Sequence, residues 1–241
     1  MIKTFYFEQL HSTNDTARSL IENEDEIIVT AEEQISGRGR RERSWLGEKG
    51  KNMYFSYAVN HTKLKTFANN ISYLAASSLF TLYNFRKFAA DITFKLKYPN
   101  DIYCLDNGIY KKVSGILIEH TFAATLPKYT IIGIGANINQ SNFPLELQAK
   151  ASSLSKLGLK ISVSDFIDGL GLSFERMYSL NEALLIQDWQ KEINIVNKSV
   201  LLTSQKKQMK VIKHLDDGRL VVQNESEELI IDDGESIIYE L

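Results

Sequence analysis

Apolar and polar positions follow two periods along the first third of the chain, and these periods predict strands and helices. Three segments are apolar or alternate with period two, as strands do: residues 2–7, 26–32 and 52–60. Residues 15–22 have helical spacing, with Ser12 or Thr13 as the N-cap and Asp15 near the positive helix end. Residues 67–85 also carry apolar side chains at helical spacing, which predicts a longer helix.

The middle of the chain mixes apolar runs with one more amphipathic segment. Three runs predict adjacent strands of one central sheet: residues 92–98, 112–122 and 128–139. The apolar residues that follow Val163 fall on one face of a predicted helix: Phe166, Ile167, Leu170, Phe174, Met177 and Tyr178. No internal repeat accompanies this order. The pattern therefore predicts an α+β fold, with a central mixed β-sheet and flanking helices.

The composition shifts near Gln190. Beyond it, short β-rich runs are separated by the sequence Asp-Asp-Gly at residues 216–218 and 232–234. Asp-Gly pairs favour tight turns between antiparallel strands. We therefore expect two domains, a larger one at residues 1–190 and a small β domain at residues 191–241.

Length, charge and cysteine content narrow the class of protein. The chain has 241 residues, 44% of them apolar, and a net charge of −2, so no overall basic field would hold it on nucleic acid or an anionic membrane. Cys104 is the only cysteine, which excludes an internal disulfide and any multi-cysteine metal site, and we expect it in the core. Neither a secretion signal nor an apolar run of membrane length is apparent, which favours the cytoplasm.

Residues 37–45, with the sequence GRGRRERSW, concentrate positive charge on flexible backbone. Its four arginines can offer bidentate forks to phosphate oxygens: Arg38, Arg40, Arg41 and Arg43. Gly37 and Gly39 let the backbone approach a ligand closely. A solvated basic loop or a nucleic-acid contact is the alternative on composition alone. Trp45 favours a ligand, because its ring can cover an adenine or an apolar group and exclude water.

Other polar groups stand at predicted strand ends. The sequence KYPND offers Lys97, Asn100 and Asp101 just after a strand, although an ordinary surface turn explains it equally well. Lys112 stands at the entry of an apolar strand, where its ammonium beside Gly115 could reach a ligand carboxylate, although lysines at such positions are mostly just solvated. Three common motifs are absent from the sequence: the dinucleotide fingerprint, the GxxxxGK[ST] phosphate loop and HExxH.

Five segments, in this order, resemble the signature of the biotin–protein ligases: STND at residue 12, EEQISGRGRRERSW at 32, KYPNDIY at 97, KVSGILIE at 112 and IGIGANIN at 132. Two departures are Tyr98, where the family usually has tryptophan, and Ser114, where glycine or alanine is commoner. The resemblance implies a class II synthetase-like catalytic domain followed by a small SH3-like β-barrel domain. It also implies a short form without an N-terminal DNA-binding domain, since Ser12 stands close to the start.

The resemblance also implies a reaction. ATP and biotin, the substrates, would give biotinyl-5′-AMP, from which biotin passes to a lysine of a biotin carboxyl carrier protein. Mg²⁺ would accompany ATP without dedicated protein ligands, and neither specific DNA binding nor membrane binding is expected. The alternatives are a lipoate–protein ligase, whose lid resembles an arginine pair followed by glycines and a histidine, and a nucleic-acid-binding module.

Carried over by residue, the resemblance assigns Lys112 and Arg40 as catalytic. The biotin-binding residues would be Ser12, Thr13, Asn14, Gln34, Gly37, Arg38, Lys112 and Gly115. The ATP- and adenylate-binding residues would be Arg40, Arg43, Trp45, Asn100, Asp101 and Asn137.

Overall fold

A computed structural model describes residues 1–40, 43–45, 47–64 and 66–241. The helices are α1 Thr13–Leu20, α2 Asn70–Phe88, α3 Leu145–Gln148, α4 Val163–Glu175 and α5 Glu182–Ile193. The strands of the first sheet are β1 Lys3–Leu10, β2 Glu26–Gln34, β3 Met53–Asn60, β4 Phe94–Lys97, β5 Asp101–Asp106, β6 Ile109–Ala123 and β7 Leu126–Ala136. Those of the second are β8 Ser199–Leu202, β9 Gln208–His214, β10 Leu220–Gln223, β11 Glu228–Ile231 and β12 Ile237–Ile238.

The first sheet is mixed and has the strand order β1-β2-β3-β7-β6-β5-β4. Only the β1–β2 pair is parallel among its pairings, which confirms the predicted α+β class with a central mixed sheet. The expectation that the three apolar runs lie side by side is wrong in one place, because β5 separates β4 from β6. The pattern does not signal β5, since its sequence DIYCLD begins and ends in aspartate and follows the turn after β4 directly.

Side chains on alternate positions of this sheet face two different environments. Phe55, Ile116, Ile134 and Phe174 belong to the main core, in which α2 and α4 pack on one face of the sheet. Part of the opposite face is covered by α1, which contributes Ala17 to a second, smaller core cluster. The rest of that opposite face carries glycines and polar side chains.

Two helices differ from the sequence expectation. The helix α4 ends at Glu175, and Met177 and Tyr178 lie in a following 3₁₀ turn, so the predicted helix is too long. The helix α5 is absent from the prediction, although its Trp189 is fully buried and its indole N–H donates to the Pro99 carbonyl at 3.2 Å. The local turn after Glu175 breaks the helical register that the apolar spacing alone continues.

The second sheet is antiparallel, with the order β11-β10-β9-β8-β12, and both Asp-Asp-Gly sequences lie between its strands. It packs on the turn after β4: the Tyr98 N–H donates to the Tyr239 hydroxyl at 2.8 Å. A Cβ on Gly234 would lie 2.1 Å from the Tyr98 carbonyl oxygen, so only glycine permits this approach. The division of the chain at residue 190 stays a prediction.

One further expectation concerns the burial of Cys104, and another concerns membrane-spanning helices. Cys104 is buried in the core, as predicted, and burial raises the pKa of its thiol to about 11. Across the part of the chain that the structure describes, none of the helices combines the length and apolar character needed to cross a membrane.

Candidate active site

The start of α1 meets the end of β2 in a buried polar cluster. Ser12 caps the helix by accepting from the Asp15 N–H at 3.5 Å. The Thr13 N–H donates to Gln34 Oε1 at 2.7 Å, which joins two of the predicted biotin-binding residues. Thr13 and Asn14 are both buried. The sequence thus brings hydroxyl and amide groups together at one end of the glycine-bearing face.

Two described segments, residues 37–40 and 43–45, are joined by backbone hydrogen bonds. The Trp45 N–H donates to the Gly37 carbonyl at 2.8 Å, and the Gly39 N–H donates to the Arg43 carbonyl at 2.6 Å. A Cβ on Gly37 would lie 2.6 Å from the Trp45 carbonyl oxygen, so the closure of the loop requires glycine there. Among the predicted lid arginines, Arg41 lies outside the described residues.

The Trp45 side chain lies against β7. A Cβ on Gly135 would lie only 2.3 Å from Trp45 Cε2, so the missing side chain is what makes room for the indole. The indole N–H is buried and has no protein acceptor among the described residues. A buried donor without a partner is costly, and a ligand acceptor at this place would satisfy it.

Lys112 owes its position to a β-bulge. The pairing of β5 with β6 shifts register between Ile102 and Tyr103, so Val113 is the extra residue in β6. Residues three apart in a regular strand face opposite sides, but here Lys112 Nζ lies 3.0 Å from the position of a Cβ on Gly115. The ammonium pairs with Asp101 Oδ1 at 2.7 Å and lies 5.5 Å from the Trp45 ring centroid. Four predicted site residues therefore meet at one point.

Two predicted nucleotide-binding residues use their amides to hold backbone. The Asn100 amide donates to the Ile116 carbonyl, and the Asn137 amide donates to the Ser152 carbonyl at 3.1 Å. Both asparagines are buried. Their contacts fix the ends of β5 and β7 beside Lys112, and no described residue donates to their side-chain carbonyl oxygens, which can accept from a ligand.

The two other described lid arginines point elsewhere. Arg43 pairs with Glu235, in the loop between β11 and β12, at 2.9 Å. Arg40 lines a cavity of about 290 Å³, together with Asn100, the first turn of α2 and the turn at residues 217–219. The residues lining this cavity do not include Lys112, Trp45 or Asn14. The cavity is therefore separate from the polar cluster around Thr13. That cluster has the hydroxyl and amide groups, and it lies on the glycines of β7.

An ionic network borders the polar cluster. Arg38 pairs with Asp15 at 2.6 Å, and Arg18 pairs with Asp15 at 2.9 Å and with Glu119 at 3.1 Å. The Asn14 amide also donates to Glu119, at 2.6 Å. Charges of opposite sign alternate through the network, so the lid residue Arg38 is tied to the start of α1.

Sequence reasoning missed four contributors to this site: Ser56, Glu119, Gly133 and Gly135. Two of them had a signal. Glycines at alternate positions of an apolar strand, as at Gly133 and Gly135, indicate that another group approaches the backbone. Ser56 and Glu119 had none, because only the pairing of β3, β7 and β6 brings them beside Asn14.

Among the described residues, no group of three or more histidine, cysteine, aspartate or glutamate side chains is placed to hold a metal ion. The described residues thus provide no preformed carboxylate cage of the kind that holds a cation without help from its ligand.

Comparisons with known proteins agree on one family. The model of the biotin/lipoate A/B protein ligase family matches residues 6–137. The bifunctional ligase/repressor BirA of Bacillus subtilis is 35% identical over 178 residues, which cover 72% of this chain and 53% of that protein. This chain thus matches about half the length of that relative. The biotin–[acetyl-CoA-carboxylase] ligase of Paracoccus denitrificans is 28% identical over 152 residues, which cover 61% of each protein.

A solved structure shares the fold. The biotin protein ligase from Aquifex aeolicus in complex with biotin and ATP aligns over 100% of both chains, with a TM-score of 0.77 and 22% identity. The likeness extends over both sheets, including the second, antiparallel one. Since the family model matches more than half of the sequence, this chain belongs to the biotin/lipoate A/B protein ligase family.

Proposed function

We propose that this protein is an ATP-dependent biotin–protein ligase, which activates biotin to biotinyl-5′-AMP and transfers biotin to a lysine of a biotin carboxyl carrier protein. One observation carries the proposal: the bulge in β6 holds the Lys112 ammonium over Gly115, next to Asp101 and facing Trp45. An ammonium on a floor without side chains suits a reaction in which two anions must meet.

In the first step, a carboxylate oxygen of biotin would attack the α-phosphorus of ATP. The new P–O bond forms as the bond to the bridging oxygen of the β-phosphate breaks, and pyrophosphate leaves with that electron pair. Both reactants are negative, and negative charge grows on the α-phosphate oxygens in the transition state. Lys112 would lie between carboxylate and phosphate and stabilise that charge, while Asp101 holds its side chain in place.

The remaining predicted residues would act around this point. Arg40 and Arg43 point away from Lys112 in this structure and would turn towards it to bind phosphate oxygens, and Trp45 would cover the adenine. Asn100 and Asn137 flank Lys112 and would face the nucleotide. Gly37 and Arg38 would begin the lid over biotin, since a backbone hydrogen bond joins Trp45 to Gly37.

In the second step, the lysine amine of the carrier would attack the acyl carbon of biotinyl-5′-AMP. The C–N bond forms, the bond between the acyl carbon and the phosphate oxygen breaks, AMP leaves, and the amine loses a proton. The carrier is a proposal supported by the likeness to the Paracoccus denitrificans protein, whose name specifies an acetyl-CoA-carboxylase ligase.

A lipoate–protein ligase is the other candidate within the same family. The buried polar cluster favours biotin, because the Thr13 and Ser56 hydroxyls and the Asn14 and Gln34 amides can pair with a ureido ring. The dithiolane ring of lipoate has no N–H or C=O and could make none of these hydrogen bonds. A site built for hydrogen bonds rejects an analogue that lacks them by about 10⁴-fold.

Three further parts of the proposal concern the metal ion, the location in the cell and DNA binding. Mg²⁺ would arrive with ATP and be held mainly by phosphate oxygens. The cytoplasm is the proposed location, where ATP and carrier proteins occur together. The net charge of −2 supports a ligase without specific DNA binding, which a gel-shift assay at physiological salt would test.

The central experiment measures pyrophosphate release by the purified protein with ATP and either biotin or lipoate, followed by mass spectrometry of a carrier domain with one acceptor lysine. We expect release and carrier modification with biotin only. Modification by lipoate at an equal or higher rate would overturn the assignment in favour of the other candidate. If neither reaction occurs in the presence of Mg²⁺, the proposed ligase activity itself is overturned.

A further inference from the structure

A chain of hydrogen bonds leads from the polar cluster to Glu119, a residue with no role in the proposed reaction. Ser56 Oγ lies 2.7 Å from Thr13 Oγ1 and 2.6 Å from Asn14 Oδ1. Asn14 Nδ2 donates to Glu119 Oε2 at 2.6 Å. Glu119 lies on β6, two strands away from Ser56 on β3, so the chain crosses the glycine-bearing face of the sheet.

The direction of this chain follows from the proton count. The Ser56 hydroxyl has one proton, and the Asn14 carbonyl can only accept, so Ser56 donates to Asn14 and Thr13 donates to Ser56. Gln34 Oε1 is still satisfied by the Thr13 N–H at 2.7 Å. The whole arrangement therefore depends on which way the Asn14 amide is turned.

Glu119 determines that orientation. An ionised carboxylate only accepts, so the Asn14 NH₂ group must face it, since the reverse orientation would place two oxygen acceptors 2.6 Å apart. Arg18 keeps the carboxylate in place through its bond of 3.1 Å to the same oxygen. Asp15, bonded to both Arg18 and Arg38, completes the charge balance.

The floor below Asn14 leaves little room for another rotamer. A Cβ on Gly133 would lie 2.3 Å from Asn14 Oδ1, so the amide rests directly on the backbone of β7. Asn14 is buried. An amide that is held from below by backbone, on one side by a hydroxyl and on the other by a carboxylate is preorganised before any substrate arrives.

We propose that Glu119 is a positioning residue for the substrate ring: it fixes the orientation of the Asn14 amide and thereby the donors and acceptors offered to a ureido group. This inference rests on the proposed biotin ligase activity. Glu119 acts through Asn14 and not by contact with the substrate. Its effect falls on the ring end of biotin, away from the reacting carboxylate beside Lys112.

The test compares Glu119→Gln with wild type in pyrophosphate release at varied biotin and varied ATP. Glutamine keeps the shape but replaces the charged acceptor with a neutral amide, so its hold on the Asn14 NH₂ group weakens. We expect KM for biotin to rise about tenfold, the usual cost of losing a hydrogen bond to a charged group. The kcat and the KM for ATP stay near wild type, because ring contacts stabilise ground state and transition state alike.

A matched control is Glu22→Gln, which removes a carboxylate that pairs with Lys128 at 3.3 Å on the surface. It leaves all kinetic constants unchanged. A general loss of structure in Glu119→Gln would instead lower kcat and raise both KM values. An unchanged KM for biotin overturns the inference while the ligase activity stands, whereas a wild type without biotin-dependent release overturns both.

A rescue experiment tests the same contact from the other side and does not depend on the stability of Glu119→Gln alone. Asn14→Asp places two carboxylates in contact and should raise KM for biotin strongly. Adding Glu119→Gln gives the new carboxylate an amide donor, so the double variant should bind biotin better than Asn14→Asp alone. A double variant that is worse than Asn14→Asp shows that the two residues act independently and overturns the inference.

Discussion

The two faces of the central sheet are built from the same strands and differ in almost every physical property. On β7, Ile132 and Ile134 point into the main core, while the neighbouring Gly133 and Gly135 leave the other face bare. The apolar face gains stability from close packing. The glycine face gives up packing and admits Asn14 and Trp45 against the backbone. Neighbouring residues of one strand thus serve different purposes: one side chain stabilises the core, and the next position makes room for the candidate site.

The largest expected effect on stability lies on the apolar face. Ile134→Ala should lower the free energy of unfolding by about 2–5 kcal/mol, because Ile134 is 2% exposed and its loss leaves a cavity in the core. Urea denaturation followed by circular dichroism measures it. The folded variant should retain pyrophosphate release. A change much below this range would mean that the core beneath the site collapses to fill the space.

The largest expected effect on activity lies on the glycine face. Lys112→Ala should lower adenylate formation by about 10²–10³, the usual cost of losing one preorganised charge-stabilising group. The fold should persist, since the Lys112 side chain is 31% exposed. Pyrophosphate release measures the rate and circular dichroism the fold.

Lys95→Ala serves as the control for Lys112→Ala. Lys95 lies on β4, at the edge of the sheet, and its ammonium lies 4.5 Å from the centroid of the Tyr110 ring. It should leave the rate unchanged. Near-normal release by Lys112→Ala would remove this lysine from the mechanism.

A smaller effect is expected from adding one methyl group to the floor. Gly135→Ala would place a Cβ 2.3 Å from Trp45 Cε2, so the indole must move away. We expect KM for ATP to rise about tenfold or more, since displacements near 1 Å in a site cost up to about a hundredfold. Initial rates at varied ATP measure this.

Gly171→Ala is the matched control, because its Cβ would meet only Ile28 Cδ1, at an ordinary 3.6 Å, on the helix α4 of the apolar side. It should stabilise the fold by up to about 1 kcal/mol through helix propensity. If Gly135→Ala and Gly171→Ala have the same KM for ATP, the close approach of Trp45 to β7 has no role in nucleotide binding.

The smallest effect concerns polar groups within the apolar side of the sheet. His61 and His120 both bond to the Thr130 hydroxyl, at 2.6 and 2.9 Å, and burial lowers the pKa of each imidazole below its usual value of 6.5. The unfolded chain therefore binds more protons than the folded one below pH 6.5. Stability should be complete above that pH and fall as the pH drops through it towards the lower folded pKa.

Urea denaturation at pH 7.5, 6.5 and 5.5 measures this dependence. His120→Gln should reduce the slope. A free energy of unfolding that is flat between pH 7.5 and 5.5 would show that these imidazoles titrate in the fold as they do in the unfolded chain.

Much of the fold could be predicted because local patterns carry it. Ser12 caps α1 where the sequence offers a cap, and the apolar periodicity locates β3, α2 and β7. The strand β5 was missed, since its pattern is short and bounded by aspartates. The five-segment resemblance is confirmed at the level of the family, which now rests on a match over residues 6–137.

The candidate site divides in the same way. The sequence by itself determined the ingredients: an arginine- and glycine-rich loop, a lysine three residues before a glycine, and glycines at alternate positions of an apolar strand. These are local choices of charge and side-chain size. They are visible wherever a residue type has a direct physical meaning for the backbone that carries it.

Only the tertiary structure decided how the ingredients meet. The bulge at Val113 brings Lys112 and Gly115 to one side of β6, although their spacing in a regular strand would separate them. The pairing of β3, β7 and β6 brings Ser56 and Glu119 to Asn14 across gaps of 42 and 105 residues. Such contacts depend on strand register, which is set by the packing of the whole sheet and cannot be derived from any one segment.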